Sequence, residues 1–400
     1  MKEGWEYKKL KEVGLTQTGT TPSKQIKAYY GGDIPFIRPA ELNVDQNGGV
    51  QYDSELKLTE EGALKSRVIK ANSVLMCCIG SVGKTGYTLN NVTCNQQINT
   101  LTPYDNYNPR FVYYALISPF FQQEVINIAN SAKATLPIIS KGKWEILSIP
   151  VPPLSEQQSI VDYLDSAFAK IDAMKANSEK ALNEAKALFQ KVLEDTMASK
   201  EGWEDKPLGD LCDIFGRIGF RGYTTKDLVQ SPFDGAISLS PSNIQDGKMD
   251  YSKLTYISWF KYEESPEIKI FNGDILLVKT GSSYGKSALV QGLPHEATIN
   301  PQSVVLKNCK IDNAFFAYQL RTNRVLDEFN RFVSGTAIPT FSQAKLSTVS
   351  IQYPTNEKQQ SIVDTLDSLK SKVDRLQENY DKISQECDAL KHVILRRVFE

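Results

Sequence analysis

The chain has 400 residues, enough for two or three domains whose cores need no disulfide or metal. Hydrophobic residues make up 41% and aromatic residues 10%, which excludes wholesale disorder. The 46 basic and 47 acidic residues leave a formal charge of -1, which excludes a polybasic protein but permits a local basic face.

The N-terminus, Met1-Lys2-Glu3-Gly4-Trp5, lacks the apolar stretch of a secretion signal, and no apolar run approaches a membrane span. A cytoplasmic chain with no membrane partner is expected. Residues 1–150 mix short strand-like runs (Ile34 to Ile37, Ser73 to Ile79) with turn signals such as Gly31-Gly32-Asp33, then a helical stretch around Phe111 to Ile117. Pro152-Pro153 stops the preceding strand, and Ser155 with Gln158 has the spacing of a capping box opening a helix over about 155–198. Residues 201–355 return to the first pattern, with strand-like runs Asp274 to Lys279 and Ser303 to Leu306 and a helical stretch Asn313 to Phe329. A second long helix is predicted over about 357–399. The boundaries are therefore 1–150, 151–200, 201–355 and 356–400, and the fold class is α+β.

This order reflects an internal repeat of about 202 residues. Glu156-Gln157-Gln158-Ser159-Ile160-Val161-Asp162-Tyr163-Leu164-Asp165-Ser166 recurs as Lys358-Gln359-Gln360-Ser361-Ile362-Val363-Asp364-Thr365-Leu366-Asp367-Ser368. Glu3-Gly4-Trp5-Glu6 recurs as Glu201-Gly202-Trp203-Glu204, and Gly83-Lys84 as Gly285-Lys286. The offset drifts inside the globular parts and is fixed in the helices, as expected of modules that share a scaffold and differ in their loops.

Ile362, Leu366, Leu369, Val373, Leu376, Tyr380, Ile383, Cys387, Leu390 and Ile394 step by 4 and 3 alternately, a heptad seam. Subtracting 202 gives Ile160, Leu164, Ala167, Ile171, Met174, Ser178, Ala181, Ala185, Leu188 and Val192 in the same phase. One seam is bulky and the other richer in small residues, which suits two helices packed on each other. At 1.5 Å per residue each would be roughly 65 Å long. The predicted helix-pairing residues are Ile160, Leu164, Ile171 and Leu188 with Ile362, Leu366, Val373, Leu376, Ile383 and Leu390.

Chemistry is mostly excluded. The six cysteines form no C-x-x-C pair, and Cys77 and Cys78 sit in an apolar run that reads as core. Two histidines, His295 and His392, are too few for a histidine-cluster metal site or most acid–base machinery, so no metal is expected. Gly83-Lys84-Thr85 and Gly285-Lys286-Ser287 resemble the end of a phosphate-binding loop, but Cys78 and Thr280 occupy the position where that loop needs glycine. They read instead as hairpin tips with a lysine aimed at an anion. No N-P-P-[FY] or H-E-x-x-H string occurs, no serine-hydrolase elbow is expected, and no catalytic residue is assigned.

Thr18-Gly19-Thr20-Thr21-Pro22-Ser23-Lys24, followed by Tyr29-Tyr30-Gly31-Gly32-Asp33-Ile34-Pro35-Phe36-Ile37, resembles the opening of a target recognition domain in the specificity (S, HsdS) subunits of type I restriction–modification systems. Val151-Pro152-Pro153-Leu154-Ser155-Glu156-Gln157-Gln158 resembles that family's proline-rich approach to its conserved helix, and the likeness covers the whole chain. The second half departs from it, with Gly216-Arg217-Ile218-Gly219-Phe220-Arg221-Gly222 and Tyr353-Pro354-Thr355 at the matching places. The resemblance implies two α/β target recognition domains joined by two long helices in an antiparallel coiled coil. It implies a chain without enzymatic activity that reads a bipartite target in double-stranded DNA. It further implies two methyltransferase (M) and two restriction (R) subunits as partners, with S-adenosylmethionine, ATP and Mg2+ on those partners and no cofactor on this chain.

Residue types that reach base edges and phosphates give the candidate DNA contacts. They are Ser23, Lys24, Arg38, Ser81, Lys84, Asn95 and Gln97 in the first repeat and Arg217, Arg221, Tyr223, Ser282, Tyr284, Lys286 and Gln302 in the second. The alternative is a non-catalytic coiled-coil scaffold whose globular halves bind other proteins. Two divergent polar loop sets on one framework favour variable readout. If a pseudo-two-fold relates the repeats, Met1 and Glu400 lie near each other. A circular permutant opened near Ser199-Lys200 should then keep the cooperative unfolding of the parent chain, and loss of that transition would refute a cyclic arrangement.

Overall fold

The computed structural model describes residues 4–43, 48–131, 135–333 and 339–400. It divides into two compact units, Met1–Lys180 with Glu378–Glu400, and Ala181–Gln377. The division runs through both long helices, so each unit contains one mixed domain and a stretch of each helix. Met1 lies outside the described residues, but Trp5 and Phe399 both pack on Phe111, with ring centroids 6.4 and 5.5 Å away.

In the first unit a four-stranded antiparallel sheet has the order Gly14–Thr18, Ile98–Pro103, Ser73–Cys77, Thr85–Thr88. Ser73–Cys77 is buried on both faces, which explains a run that is apolar rather than alternating. A second sheet sets Tyr30–Ile37 parallel to Val92–Cys94, with Phe36 opposite Thr93 and Ile37 opposite Cys94. The second unit repeats both. Asp213–Gly216, Ser303–Lys307, Ile275–Val278 and Ser287–Leu289 form the antiparallel sheet, and Gly235–Leu239 lies parallel to Ala297–Ile299 in the other. Each domain is closed by a ribbon of its first and last strands. Glu6–Lys9 pairs with Ser148–Val151 and Glu204–Pro207 with Ser350–Tyr353, so the chain enters and leaves each domain at one place.

The long helices are Leu154–Met197 and Asn356–Phe399, 44 residues each. Ser155 is not the cap of the first: Pro153 accepts from the amides of Glu156 and Gln157, and Ser155 lies inside the helix. Proline at the cap needs no amide partner, and the helix begins at Leu154, two residues earlier than a Ser155 cap would allow. The stretch Asn313 to Phe329 is two helices, Asn313–Gln319 and Asn323–Phe332, broken where the Thr322 hydroxyl turns back to the Gln319 carbonyl.

Within each unit the two helix stretches run antiparallel. In the first, Lys391 meets Asp172 at 2.5 Å and Asp388 meets Lys175 at 3.2 Å. In the second, the Lys186 ammonium donates to Gln377 at 2.7 Å. Leu164, Ile171, Leu366 and Val373 are buried, and Ile160, Ile362 and Ile383 are half-buried against the same cores. The seam prediction fails at Leu188, Leu376 and Leu390, which are 61%, 39% and 46% exposed. A straight helix with 3.6 residues per turn drifts about 20° per heptad from a 3.5-residue stripe. Phe189, Leu193 and Met197 face the core of the second unit instead, and Leu395, Val398 and Phe399 that of the first.

The repeated Gln-Gln…Leu-Asp sequence is the joint between helix and domain. The Gln157 carboxamide accepts from the Asn108 amide (2.8 Å) and donates to the Pro152 carbonyl (2.9 Å). Gln359 does the same with Asp312 and Pro354, both at 2.8 Å. Eight residues on, two turns along the same face, Asp165 accepts from the Tyr114 hydroxyl and Asp367 from Tyr318 at 2.6 Å. Burial together with these carboxylates raises both tyrosine pKa values, so the phenols stay protonated donors. Gln359→Leu strips partners from two buried backbone groups, and we predict a loss of about 1–3 kcal/mol in chemical denaturation, against no change for Gln360→Leu on the exposed face.

Candidate DNA interface

In both units the loops that carry polar side chains converge at the carboxyl ends of the parallel strand pair. Ile37 leads into the short turn Pro39–Glu41 and Leu239 into Pro241–Asn243. The Glu41 carboxylate accepts from the Arg38 amide at 2.9 Å, and Asn243 accepts from the Ser240 amide at 3.0 Å, so the two turns are capped alike. Beside them lie Asn95-Gln96-Gln97 and Asn300-Pro301-Gln302. In each, the asparagine oxygen accepts from the glutamine amide at 3.1 Å and the asparagine NH2 donates to the glutamine oxygen, at 2.9 and 3.1 Å. A third loop, the hairpin tip before Lys84 or Lys286, is tied to the second by Cys78 donating to the Gln97 carbonyl and Thr280 to that of Gln302. Three loops are thus welded to one rigid edge of each domain, where side chains can vary without disturbing the core.

In the second unit these loops enclose an open cleft of about 710 Å³, lined by Ser242, Gln245, Tyr284, Lys286 and Arg321. A smaller recess of about 200 Å³ adjoins it at Ser242 and is lined by Ser240, Thr280, Ser282 and Gln302. Hydroxyls, a carboxamide and two cations share the cleft walls with Asp246 and the apolar Ile244 and Leu326, and the first three are groups that hydrogen-bond base edges and phosphate oxygens. Burial lowers the pKa of Lys279, whose amide anchors the recess. Among the described residues no three His, Cys, Asp or Glu side chains gather in a way that could hold a metal ion, and no helix is long and apolar enough to cross a membrane.

A family model for the type I restriction modification DNA specificity domain matches residues 2–184 and again 200–385. The chain belongs to that family. It is 25% identical over 371 residues to the specificity subunit of the MjaIX type I restriction enzyme of Methanocaldococcus jannaschii, covering 87% of this chain and 82% of that relative. It is 23% identical to the EcoKI specificity subunit of Escherichia coli, covering 76% of this chain and 68% of that one. The fold is similar to a solved chain from a study of assembly and conformational transition of the type I restriction–modification system, with a TM-score of 0.75, 18% identity, and 100% and 98% coverage. It is also similar to the HsdS subunit of Thermoanaerobacter tengcongensis, with a TM-score of 0.54, 18% identity, and 99% and 97% coverage.

Within this specificity domain pair, the residues expected at the interface fall into two groups. Ser23, Lys24 and Ser81 are exposed, and Asn95 and Gln97 form the turn described above. Ser282, Tyr284, Lys286 and Gln302 line the cleft and its recess. The others are engaged within the domain, and of these only Arg217 is buried. Arg217 is 6% exposed and donates to the Ile299 carbonyl (3.2 Å), the Arg221 carbonyl (3.3 Å) and the Thr298 hydroxyl (3.1 Å). Its guanidinium stacks on Tyr223, whose hydroxyl bonds Ser238 at 2.7 Å, while Arg221 pairs with Glu267 at 3.4 Å. This cluster braces the divergent loop from inside, because an arginine fork can satisfy several carbonyls at once. Arg38 is forked onto Glu41 at 2.5 Å. Lys84 is held by the carbonyls of Pro39 and Ala40 at 2.8 and 3.4 Å, so the hairpin lysine of the first repeat is an internal brace and that of the second is exposed.

Gly281-Ser282-Ser283-Tyr284-Gly285 does satisfy the G-x-S-x-G spacing, contrary to the expectation that no elbow string occurs. It joins two antiparallel strands rather than a strand to a helix, and His295 bonds the Pro232 carbonyl. Ser240, Ser242, Gln245 and Arg321 were missed, because the hairpin Ile244–Gln245 with Lys248–Met249 has no motif signature. Lys84→Met should lower the unfolding free energy by about 1 kcal/mol, whereas Lys286→Met should leave the melting temperature unchanged; equal effects would contradict their different settings.

Proposed function

We propose that this chain is the specificity subunit of a type I restriction–modification complex, with 1–150 and 201–355 each reading one half of a bipartite, asymmetric target in double-stranded DNA. The observation that carries the reading is the repetition of one rigid three-loop edge with two different side-chain sets, Lys84 and Arg38 braced in one repeat and Lys286 beside Arg321 in the other. One chain with two unlike readers specifies a non-palindromic site, which a homodimer cannot.

In this reading the chain is cytoplasmic and supplies recognition and scaffold, with no catalytic residue, metal or cofactor of its own. Two methyltransferase subunits bring S-adenosylmethionine and methylate adenine. Two restriction subunits bring the ATP- and Mg2+-dependent cleavage. The chain as a whole carries a formal charge of -1, so the phosphate work is shared with those subunits. The exposed Leu188, Leu376, Leu390 and Val393 offer them apolar ground for subunit docking.

Single-molecule sequencing of DNA methylation in the host and in a strain lacking the gene tests this. We predict loss of one bipartite N6-methyladenine motif on deletion. An unchanged methylome, with the methyltransferase subunits expressed, would contradict it.

A further inference from the structure

Arg321 has an unusual setting for an arginine. It sits between the helices Asn313–Gln319 and Asn323–Phe332 and lines both the 710 Å³ cleft and a second cavity of about 250 Å³. Among the described residues no carboxylate comes within ion-pair distance of it, and its guanidinium lies over the Tyr318 ring with 5.8 Å to the centroid. The acids nearby are already engaged. Asp374 pairs with Lys248 and with Lys370 (2.8 Å), Asp246 with Lys186 (4.0 Å), and Asp367 accepts from Tyr318.

The site is also shaped for the guanidinium. Asp246 and Gly247 both have positive φ, 49° and 79°, in the tight turn of the hairpin that covers Arg321. A Cβ at Gly247 would overlap the guanidinium, so only glycine permits both the turn and the close approach. Burial there opposes the charge and lowers the pKa of Arg321, while Asp246 and Asp374 favour the charge from beyond contact; the arginine stays protonated, a desolvated cation with no direct ion pair. The exposed Lys286 stands on the same cleft.

We propose that Arg321 and Lys286 form a phosphate clamp for the DNA backbone, and that this clamp belongs to the second recognition domain alone. The inference rests on the DNA-reading function above and deepens it. Phosphodiester oxygens are the ligand rather than base edges, because Arg321, half-buried between Tyr318 and the Gly247 turn, stands on the cleft wall. In the first repeat the matching positions carry Ile117, from the alignment of Tyr114 with Tyr318, and Lys84, whose ammonium is spent on two carbonyls. The two half-sites are therefore held unequally. The second domain contributes the salt-sensitive grip although residues 201–355 carry 16 basic and 17 acidic side chains against 16 and 13 in residues 1–150. Two cations on one cleft, neither in a direct ion pair among the described residues, outweigh the domain's net charge at contact distance.

The test uses the assembled complex with its methyltransferase subunits, a duplex bearing its methylated motif, and a random duplex, titrated from 50 to 200 mM salt. One phosphate contact contributes a slope of about 0.9 in log affinity against log salt, so Arg321→Gln or Lys286→Gln should each reduce the salt-induced loss of affinity about three- to fourfold. Both duplexes should weaken alike, and Arg321→Lys should restore most of the slope. An unchanged slope in both Gln variants, or a loss confined to the motif duplex, would overturn the clamp while leaving the DNA-reading function standing. If Arg321→Gln fails to assemble, the exposed Lys286→Gln decides alone. A wild-type complex with no preference for the motif duplex would overturn both the clamp and the reading on which it rests.

Discussion

The structure depends on the buried carboxamide that joins each long helix to its domain. A helix of 44 residues with an apolar stripe cannot be oriented by hydrophobic burial alone, because burial is non-directional. Gln157 and Gln359 supply direction: each bonds one backbone group from the domain helix and one from the strand just left. With Asp165–Tyr114 and Asp367–Tyr318 two turns away, each helix is fixed at two points along one face. The identity of that sequence in both repeats follows from geometry, since shorter or charged side chains would leave buried groups unpaired.

A fixed joint lets the opposite side of each domain vary. The two repeats share sheets, closing ribbons and the Asn-x-Gln turn, and differ where side chains meet solvent. The same hairpin lysine shows the division. In the first repeat it donates to the turn carbonyls of Pro39 and Ala40, and in the second, with the equivalent turn capped in the same way by Asn243, Lys286 lines the cleft. The same lysine thus holds a loop in one repeat and stands on a cleft wall in the other.

Much of the scaffold was legible in the sequence because it is written in periodicity and repetition. The heptad steps located both helices to within a residue at each end, and the apolar run at Ser73 to Ile79 located a central strand. The failures have physical causes. A seam read at a 3.5-residue period cannot show where a straight helix turns Leu188, Leu376 and Leu390 outward. Polar residues in loops were legible as a class, but whether Arg217 braces a loop or faces solvent depends on carbonyls 80 residues away in sequence, such as that of Ile299. Arg321 carries no local signal at all: that Asp246 and Asp374 pair with other cations rather than with it is set by lysines on three other segments.

The central claim is that the repeats are equivalent modules whose loops alone set the two halves of the target. The most direct measurement is the methylome of a strain whose only copy of the gene has residues 201–353 replaced by residues 3–151, joined through the common Glu-Gly-Trp-Glu sequence and the closing ribbon. The account predicts a methylated motif with two identical half-sites as an inverted repeat, at the original spacing. Methylation of the original asymmetric motif, or a complex that assembles normally yet methylates no motif, would contradict it.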